Sequence, residues 1–119
     1  MKQLGLYIHI PFCLKKCLYC DFYSLPNAEV PGEYLDALIK QLDEYGLQTA
    51  DYAVDTVFLG GGTPSLLTEK QIDRLFHRIY QDFNVTKKAE VTVEANPGTV
   101  DPKKLKAFRK AGVNRLSLG

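Results

Sequence analysis

The chain has 119 residues, of which 45% are hydrophobic and 24% are charged, a composition typical of a globular domain. Its formal net charge of +1 gives no electrostatic case for binding nucleic acid, and no apolar run is long enough to cross a bilayer. The first residues lead directly into a strand-like segment without a small-residue cleavage site, so the sequence predicts no signal peptide. Its thiols are accordingly expected in a reducing cytoplasm, with the protein either free or peripheral to a membrane.

Strand and helix patterns alternate along the chain. Residues 5–10 predict a first strand, and residues 11–32 form a long irregular stretch of the kind that is usually functional within a compact domain. A first helix follows and is predicted to end at Gly46. Its predicted buried stripe consists of Leu35, Leu38, Ile39, Leu42 and Tyr45. Residues 55–59 predict a second strand.

A capping box and an apolar stripe predict the second helix. Thr68 and Gln71 supply the residue types of the box at the required spacing. The stripe that follows consists of Ile72, Leu75, Phe76, Ile79 and Phe83. Residues 90–95 then predict a third strand.

Helix-end signals and one further strand complete the alternation. Asp101 is the predicted N-cap of a third helix, with Pro102 in its first position and Gly112 at its end. Residues 113–118 predict a fourth strand. Repeated βα units predict an α/β fold with a parallel sheet: the first half of a TIM-like (β/α) barrel, about three and a half units, or a doubly wound sheet. Because an unpaired last strand is a liability, we expect residues 1–119 to be the N-terminal part of a larger domain, incomplete at the C-terminus, or to self-associate through that edge.

Polar side chains share one face of the predicted strands, because strand side chains alternate. The polar face carries Tyr7, His9, Thr92, Glu94, Asn96, Arg115 and Ser117. The opposite, aliphatic face is expected to pack on the helices and carries Leu6, Ile8, Ile10, Val91, Val93, Ala95, Leu116 and Leu118. A buried polar set either satisfies itself through internal hydrogen bonds or binds a polar ligand. The size of this set favours a ligand inside the barrel.

The only three cysteines lie close together, at Cys13, Cys17 and Cys20. An odd number of thiols makes a poor disulfide framework, whereas clustered thiolates are typical ligands of a soft metal centre. Iron–sulfur clusters normally take four cysteine ligands, so a set of three would leave one iron open to a ligand that is not protein. The alternative is a zinc-stabilised binding module in which His9 completes a Cys3His set.

The second predicted strand ends in a glycine loop, residues 60–64, with the sequence Gly-Gly-Gly-Thr-Pro. Glycine in a strand-to-helix loop lets a ligand reach the backbone with no Cβ in the way. The loop is not a phosphate-binding Walker loop, since no Gly-Lys-Ser/Thr follows, and Ser65 stands where a dinucleotide fingerprint needs its third glycine. It is therefore either a ligand-binding loop of another kind or an ordinary turn.

The cysteine spacing C-x3-C-x2-C, with Tyr19 before the last cysteine, resembles that of the radical S-adenosylmethionine (SAM) family. The resemblance implies a (β/α) barrel with a [4Fe–4S] cluster whose open iron binds SAM. It also implies that an electron from the cluster cleaves a C–S bond of SAM to give a 5′-deoxyadenosyl radical. The implied cluster ligands are Cys13, Cys17 and Cys20, and the implied SAM-binding residues are Tyr7, Tyr19, Gly61, Gly62, Thr63 and Glu94.

Three motifs narrow the resemblance, at residues 7–13, 60–65 and 94–100. Together they look like the branch that contains oxygen-independent coproporphyrinogen III oxidases and HemW-type haem chaperones. Phe22 stands where the oxidases carry a further cysteine, and their N-terminal arm is missing, so the expected function is binding haem and delivering it to an acceptor protein. The alternative is oxidative decarboxylation of coproporphyrinogen III to protoporphyrinogen IX. The haem site is expected beyond this chain, and the sequence identifies neither the electron donor nor the haem acceptor.

Overall fold

A computed structural model describes residues 1–12 and 30–118. Within them, strands and helices alternate: β1 (Lys2–Ile10), α1 (Gly32–Gln48), β2 (Tyr52–Gly61), α2 (Glu69–Asp82), β3 (Asn84–Ala95), α3 (Pro102–Lys110) and β4 (Arg115–Leu118). Short 3₁₀ turns follow β2 at Pro64–Leu66 and β3 at Pro97–Thr99. None of the helices in this described part is long and apolar enough to span a membrane.

The strands form one parallel sheet in the order β1-β2-β3-β4. A doubly wound sheet reverses its strand order at a switch point, whereas neighbours that follow chain order are typical of a barrel. The prediction of an α/β fold with about three and a half units of a (β/α) barrel is confirmed.

One face of the sheet packs against the helices and forms the apolar core. Its buried strand residues include Ile8, Ile10, Val57, Leu59, Val91 and Val93, and its buried helix residues include Leu35, Ile39, Leu75, Phe76, Ile79 and Phe108. The last strand departs from the predicted pattern, because Leu116 is 39% exposed and Leu118 is 64% exposed. In the described residues β4 pairs only with β3 and no further helix covers it, so these two side chains remain open.

The first helix differs from the prediction at its C-terminal end. It continues past Gly46 to Gln48, and Gly46 does not adopt a positive φ. A Cβ on Gly46 would lie 2.7 Å from the carbonyl oxygen of Asp82, so this glycine permits close packing against the end of α2. Tyr45 is 56% exposed. Residues four positions apart share a helix face, so the buried stripe continues from Leu42 to Gly46 and leaves Tyr45 outside it. The predictions that Gly46 ends the helix and that Tyr45 is buried are therefore wrong.

The local signals at the other helix ends are confirmed. The hydroxyl of Thr68 accepts from the backbone N–H of Gln71 at 3.1 Å, and the Gln71 side chain accepts from the N–H of Thr68 at 2.9 Å. Asp101 caps α3 by accepting from the N–H of Lys104 at 2.7 Å. Gly112 follows the helix with a φ of +103°, in the left-handed region that favours glycine.

Three of the strands are longer than their sequence patterns predict. β1 begins at Lys2, and β3 begins at Asn84, which pairs with Ala53 of β2. Phe83, predicted in the second helix, lies just past α2 but is buried as expected. Only β4 is shorter, because it begins at Arg115.

Candidate functional site at the carboxyl ends of the strands

Side chains near the carboxyl ends of β1, β2 and β3 meet on the sheet face that is turned away from the helices. Parallel (β/α) folds place their functional residues at this edge. A Cβ built on Gly60, at the end of β2, would lie within 3 Å of a side chain from each strand. The side chains that meet there are Tyr7, Phe58 and Glu94.

Glu94 lies against the end of β2. Its Oε1 atom accepts a hydrogen bond from the backbone N–H of Gly61 at 3.1 Å, and a Cβ on Gly60 would lie 2.4 Å from the same oxygen. Gly61 has a φ of +116°, which a residue with a side chain rarely adopts. A side chain at Gly60 would displace the carboxylate and one at Gly61 would strain the turn, so the two glycines let Glu94 reach the backbone.

Two side chains of β1 lie against the glycines at the end of β2. The hydroxyl of Tyr7 is 3.3 Å from Nδ1 of His9, and the Tyr7 ring stacks on Phe58 with centroids 5.8 Å apart. Burial raises the pKa of the Tyr7 phenol, and the charge of Glu94 raises it further. The His9 ring lies against Gly61, where a Cβ would be 2.8 Å from Nδ1. Tyr7 therefore keeps its proton at neutral pH and can donate it in a hydrogen bond, while its 57% exposure leaves it accessible to a ligand.

The glycine loop is bound to the end of β1. The N–H of Gly62 donates to the carbonyl of Ile10 at 2.9 Å, and the N–H of Thr63 donates to the carbonyl of Phe12 at 2.6 Å. A Cβ on Gly62 would lie 2.6 Å from that Phe12 oxygen. Phe12 directly precedes Cys13 in the sequence, so the loop fixes the point from which the chain continues to the predicted cluster ligands.

Other polar residues of the same sheet face form hydrogen bonds and ion pairs within the protein. Thr92 is 1% exposed and donates to Oε1 of Glu90 at 3.5 Å, and Arg115 lies 3.2 Å from the same oxygen. Asn96, just past β3, accepts from the N–H of Gly98 at 2.9 Å and so caps a turn. These polar-face residues therefore satisfy themselves through internal hydrogen bonds, as the alternative to ligand binding predicted. The candidate site is confined to the carboxyl ends of β1, β2 and β3.

The sequence patterns did not point to Tyr34, the third residue of α1. Its hydroxyl donates to the carbonyl of His9 at 2.5 Å, and its ring meets Phe12 edge-on with centroids 5.0 Å apart. Burial raises the pKa of the Tyr34 phenol, and the neighbouring Tyr7 raises it further. Tyr34 stands immediately before the apolar stripe that starts at Leu35, and an aromatic residue beside a stripe was the only signal available.

Four predicted site residues lie outside the described residues: Cys13, Cys17, Cys20 and Tyr19. Within residues 1–12 and 30–118, no group of three or more His, Cys, Asp or Glu side chains could hold a metal ion. The described part of the site therefore consists of a carboxylate, a phenol, an imidazole and glycine backbone. It brings together the predicted Tyr7, Gly61 and Glu94, with Gly62 and Thr63 beside them against Phe12.

Comparison with solved structures finds the same fold in a coproporphyrinogen III oxidase. The structure described as "Coproporphyrinogen III oxidase (HemN) from Escherichia coli is a Radical SAM enzyme" matches with a TM-score of 0.89 and 33% sequence identity. The match covers 99% of this chain and 27% of that one.

Curated relatives carry the name heme chaperone HemW. The protein from Escherichia coli (strain K12) is 43% identical over 121 residues, and that from Buchnera aphidicola subsp. Schizaphis graminum is also 43% identical. Each match covers 100% of this chain and 32% of the relative, so the chain spans about a third of their length. The family model of the radical SAM superfamily matches residues 7–119. The resemblance predicted from the three motifs is confirmed, and the chain belongs to the radical SAM superfamily.

Proposed function

We propose that Cys13, Cys17 and Cys20 hold a [4Fe–4S] cluster in this protein and that SAM binds beside it. Membership of the superfamily implies both cofactors. Three thiolates supply one ligand fewer than the usual four and so leave an iron open. This donor set suits a cluster better than the zinc alternative, in which His9 would be the fourth ligand, because structural zinc sites favour paired C-x2–4-C ligands and His9 lies within strand β1. When bound, the cluster would supply the electron that cleaves SAM.

The described residues fit SAM by their chemistry. SAM carries an ammonium group, and the site offers the Glu94 carboxylate beside glycine backbone with no Cβ to block approach. Glu94 uses one acceptor position on Gly61, and a carboxylate has about four. Tyr7 adds a protonated phenol that remains open to solvent. We therefore propose that SAM binds at Tyr7, Gly61, Gly62, Thr63 and Glu94. Tyr19 lies outside the described residues, and its role in SAM binding is proposed from the sequence motif alone.

The function that these observations support best is that of a haem chaperone, which binds haem and passes it to an acceptor protein. The observation that carries this proposal is identity of 37–43% to several proteins named heme chaperone HemW over nearly the whole of this chain. Phe22 in place of a further cysteine agrees with it. Haem would bind outside residues 1–119, and we propose that the protein acts in the cytoplasm, free or at the membrane surface.

Oxidation of coproporphyrinogen III is the second candidate. It is favoured by the structural match at 33% identity to a protein whose description names that activity. The two candidates share the cluster and SAM, and they differ in what happens to the tetrapyrrole. A chaperone returns haem unchanged, whereas an oxidase consumes its substrate.

The natural protein that contains this chain, reconstituted anaerobically with iron and sulfide, distinguishes the two. Haem is added and its Soret band is followed, and the haem-loaded protein is then mixed with an apo-haem protein. We expect stoichiometric haem binding and transfer, and no decarboxylation of coproporphyrinogen III under reducing conditions with SAM.

The matched control is Cys17→Ala, which removes one proposed cluster ligand. Turnover of coproporphyrinogen III that is lost in Cys17→Ala would establish the oxidase instead. A parent protein that neither binds haem nor turns over the porphyrinogen would contradict both candidates.

A further inference from the structure

Tyr34 connects α1 to His9, near the end of β1, and to Phe12, which directly precedes Cys13 in the sequence. Its hydroxyl donates to the carbonyl of His9 at 2.5 Å, and its ring lies edge-on to Phe12 at an interplanar angle of 83°. α1 begins at Gly32, directly after the part of the chain that carries the three cysteines. A single side chain on the helix that follows the cysteines thus holds the strand that precedes them.

Both residues that Tyr34 contacts also contact the glycine loop. The His9 ring lies where a Cβ on Gly61 would be, 2.8 Å from Nδ1. The carbonyl of Phe12 accepts from the N–H of Thr63 at 2.6 Å. Tyr34 therefore acts on the glycine loop through His9 and Phe12.

β1 lies at one edge of the sheet formed by the described strands, and within them it pairs only with β2. Backbone groups on such an edge take hydrogen bonds from other sources or from water. The Tyr34 hydroxyl supplies one to His9, at the penultimate residue of the strand.

We propose that Tyr34 is a positioning residue for the SAM site: it fixes His9 and Phe12 against the glycine loop, so that the loop and residues 9–12 keep one relative geometry. The inference rests on the proposed function, because it requires that SAM bind at this loop. It predicts that removing the hydroxyl alone weakens SAM binding without removing the cluster.

The matched control is a second tyrosine that makes the same kind of bond elsewhere. The hydroxyl of Tyr80 donates to the carbonyl of Ala111 at 2.7 Å, in the segment between α3 and β4. That segment lies at the amino ends of the strands, away from the candidate site. Tyr80→Phe and Tyr34→Phe therefore remove the same group from the same type of bond at opposite ends of the sheet.

The experiment compares the parent, Tyr34→Phe and Tyr80→Phe after anaerobic reconstitution of the natural protein. Iron and sulfide content, the dissociation constant for SAM, and the EPR spectrum of the reduced cluster with and without SAM are measured. We expect normal iron in all three. In Tyr34→Phe, SAM affinity should fall roughly three- to tenfold, the range of one ordinary hydrogen bond, with an altered SAM-bound EPR spectrum. Tyr80→Phe should match the parent in both SAM measurements.

Parent-like SAM affinity and EPR spectra in Tyr34→Phe would overturn the inference, and so would equal weakening in Tyr80→Phe. If Tyr34→Phe does not fold, Phe12→Leu keeps the hydroxyl bond and removes the aromatic contact. Weaker SAM binding in that variant supports the proposal and parent-like binding overturns it. A parent that shows no EPR response to SAM refutes the SAM site itself, which separates failure of the proposed function from failure of the role of Tyr34.

Discussion

Glu94 is the residue through which the described site would recognise a cation. Its carboxylate is held by the N–H of Gly61, and the space that it occupies exists only because position 60 is glycine. Strand alternation placed Glu94 on the polar face of the sheet from the sequence alone. Its contact with Gly61 spans 33 residues, and no local pattern predicts a hydrogen bond of that range.

Replacing Glu94 by glutamine removes the charge and keeps the shape. We expect SAM affinity to fall by at least about tenfold, because hydrogen bonds to charged groups contribute roughly 1.5–3 kcal/mol, while iron content stays normal. Isothermal titration of the reconstituted protein measures this. Glu90→Gln is the control, since Glu90 lies on the same face of β3 but pairs with Arg115. Unchanged affinity in Glu94→Gln would contradict the assignment.

The same variant has a defined effect on Tyr7. The pKa of this phenol lies above its ordinary value of 10.0, first through burial and second through the charge of Glu94. A raised folded-state pKa contributes stability that is complete below the unfolded pKa and is lost as the pH rises through the folded one. Glu94→Gln should therefore lower the pKa of Tyr7. The stability that the Tyr7 phenol contributes, and that is lost at alkaline pH, should become smaller. Phenolate absorbance, compared with Tyr7→Phe, isolates this group.

At the scale of elements, the side chain of Gln71 joins the start of α2 to the residue that precedes α1. Its oxygen accepts from the N–H of Thr68 in the capping box, and its Nε2 donates to the carbonyl of Val30 at 2.8 Å. The first bond spans three residues and the sequence predicted it. The second spans 41 residues, so nothing in the local pattern indicated it.

Gln71→Glu separates these two bonds. Glutamate can still accept from Thr68, but a carboxylate cannot donate to Val30. We expect unchanged helix content and a free energy of unfolding lower by about 1–2 kcal/mol, the penalty for leaving a part-buried group unsatisfied. Chemical denaturation followed by circular dichroism measures both. The exposed Gln41, replaced by Glu, controls for the added charge, and parent-like stability in Gln71→Glu would show that the Val30 bond contributes nothing.

Local patterns in the sequence predict a feature correctly when neighbouring residues determine it, and fail when distant residues do. Thr68 and Asp101 were predicted correctly because a cap depends on residues two or three positions away. The prediction at Tyr45 was wrong because the buried stripe continues from Leu42 to Gly46 instead. The prediction at Gly46 was wrong because the environment of this glycine is set by Asp82 at the end of α2, far along the chain. The contacts of Tyr34 with β1 were beyond prediction for the same reason.

At the scale of the whole molecule, the chain presents three complete βα units and a fourth strand with an open edge. Leu116 and Leu118 remain exposed on that strand, and β4 has no second neighbour among the described strands. Self-association of this chain through the edge, and its place as the N-terminal part of a larger domain over residues 1–119, stay predictions. The matched relatives are about three times as long, which agrees with the second.

We propose above all that this chain carries a cluster with one iron open to SAM. The most direct test is EPR of the anaerobically reconstituted and reduced protein with and without SAM, with Cys17→Ala beside it. We predict a [4Fe–4S] signal in the parent that shifts when SAM is added, and loss of iron uptake in Cys17→Ala without loss of the sheet. A parent that takes up no iron and instead holds zinc tightly would contradict the claim.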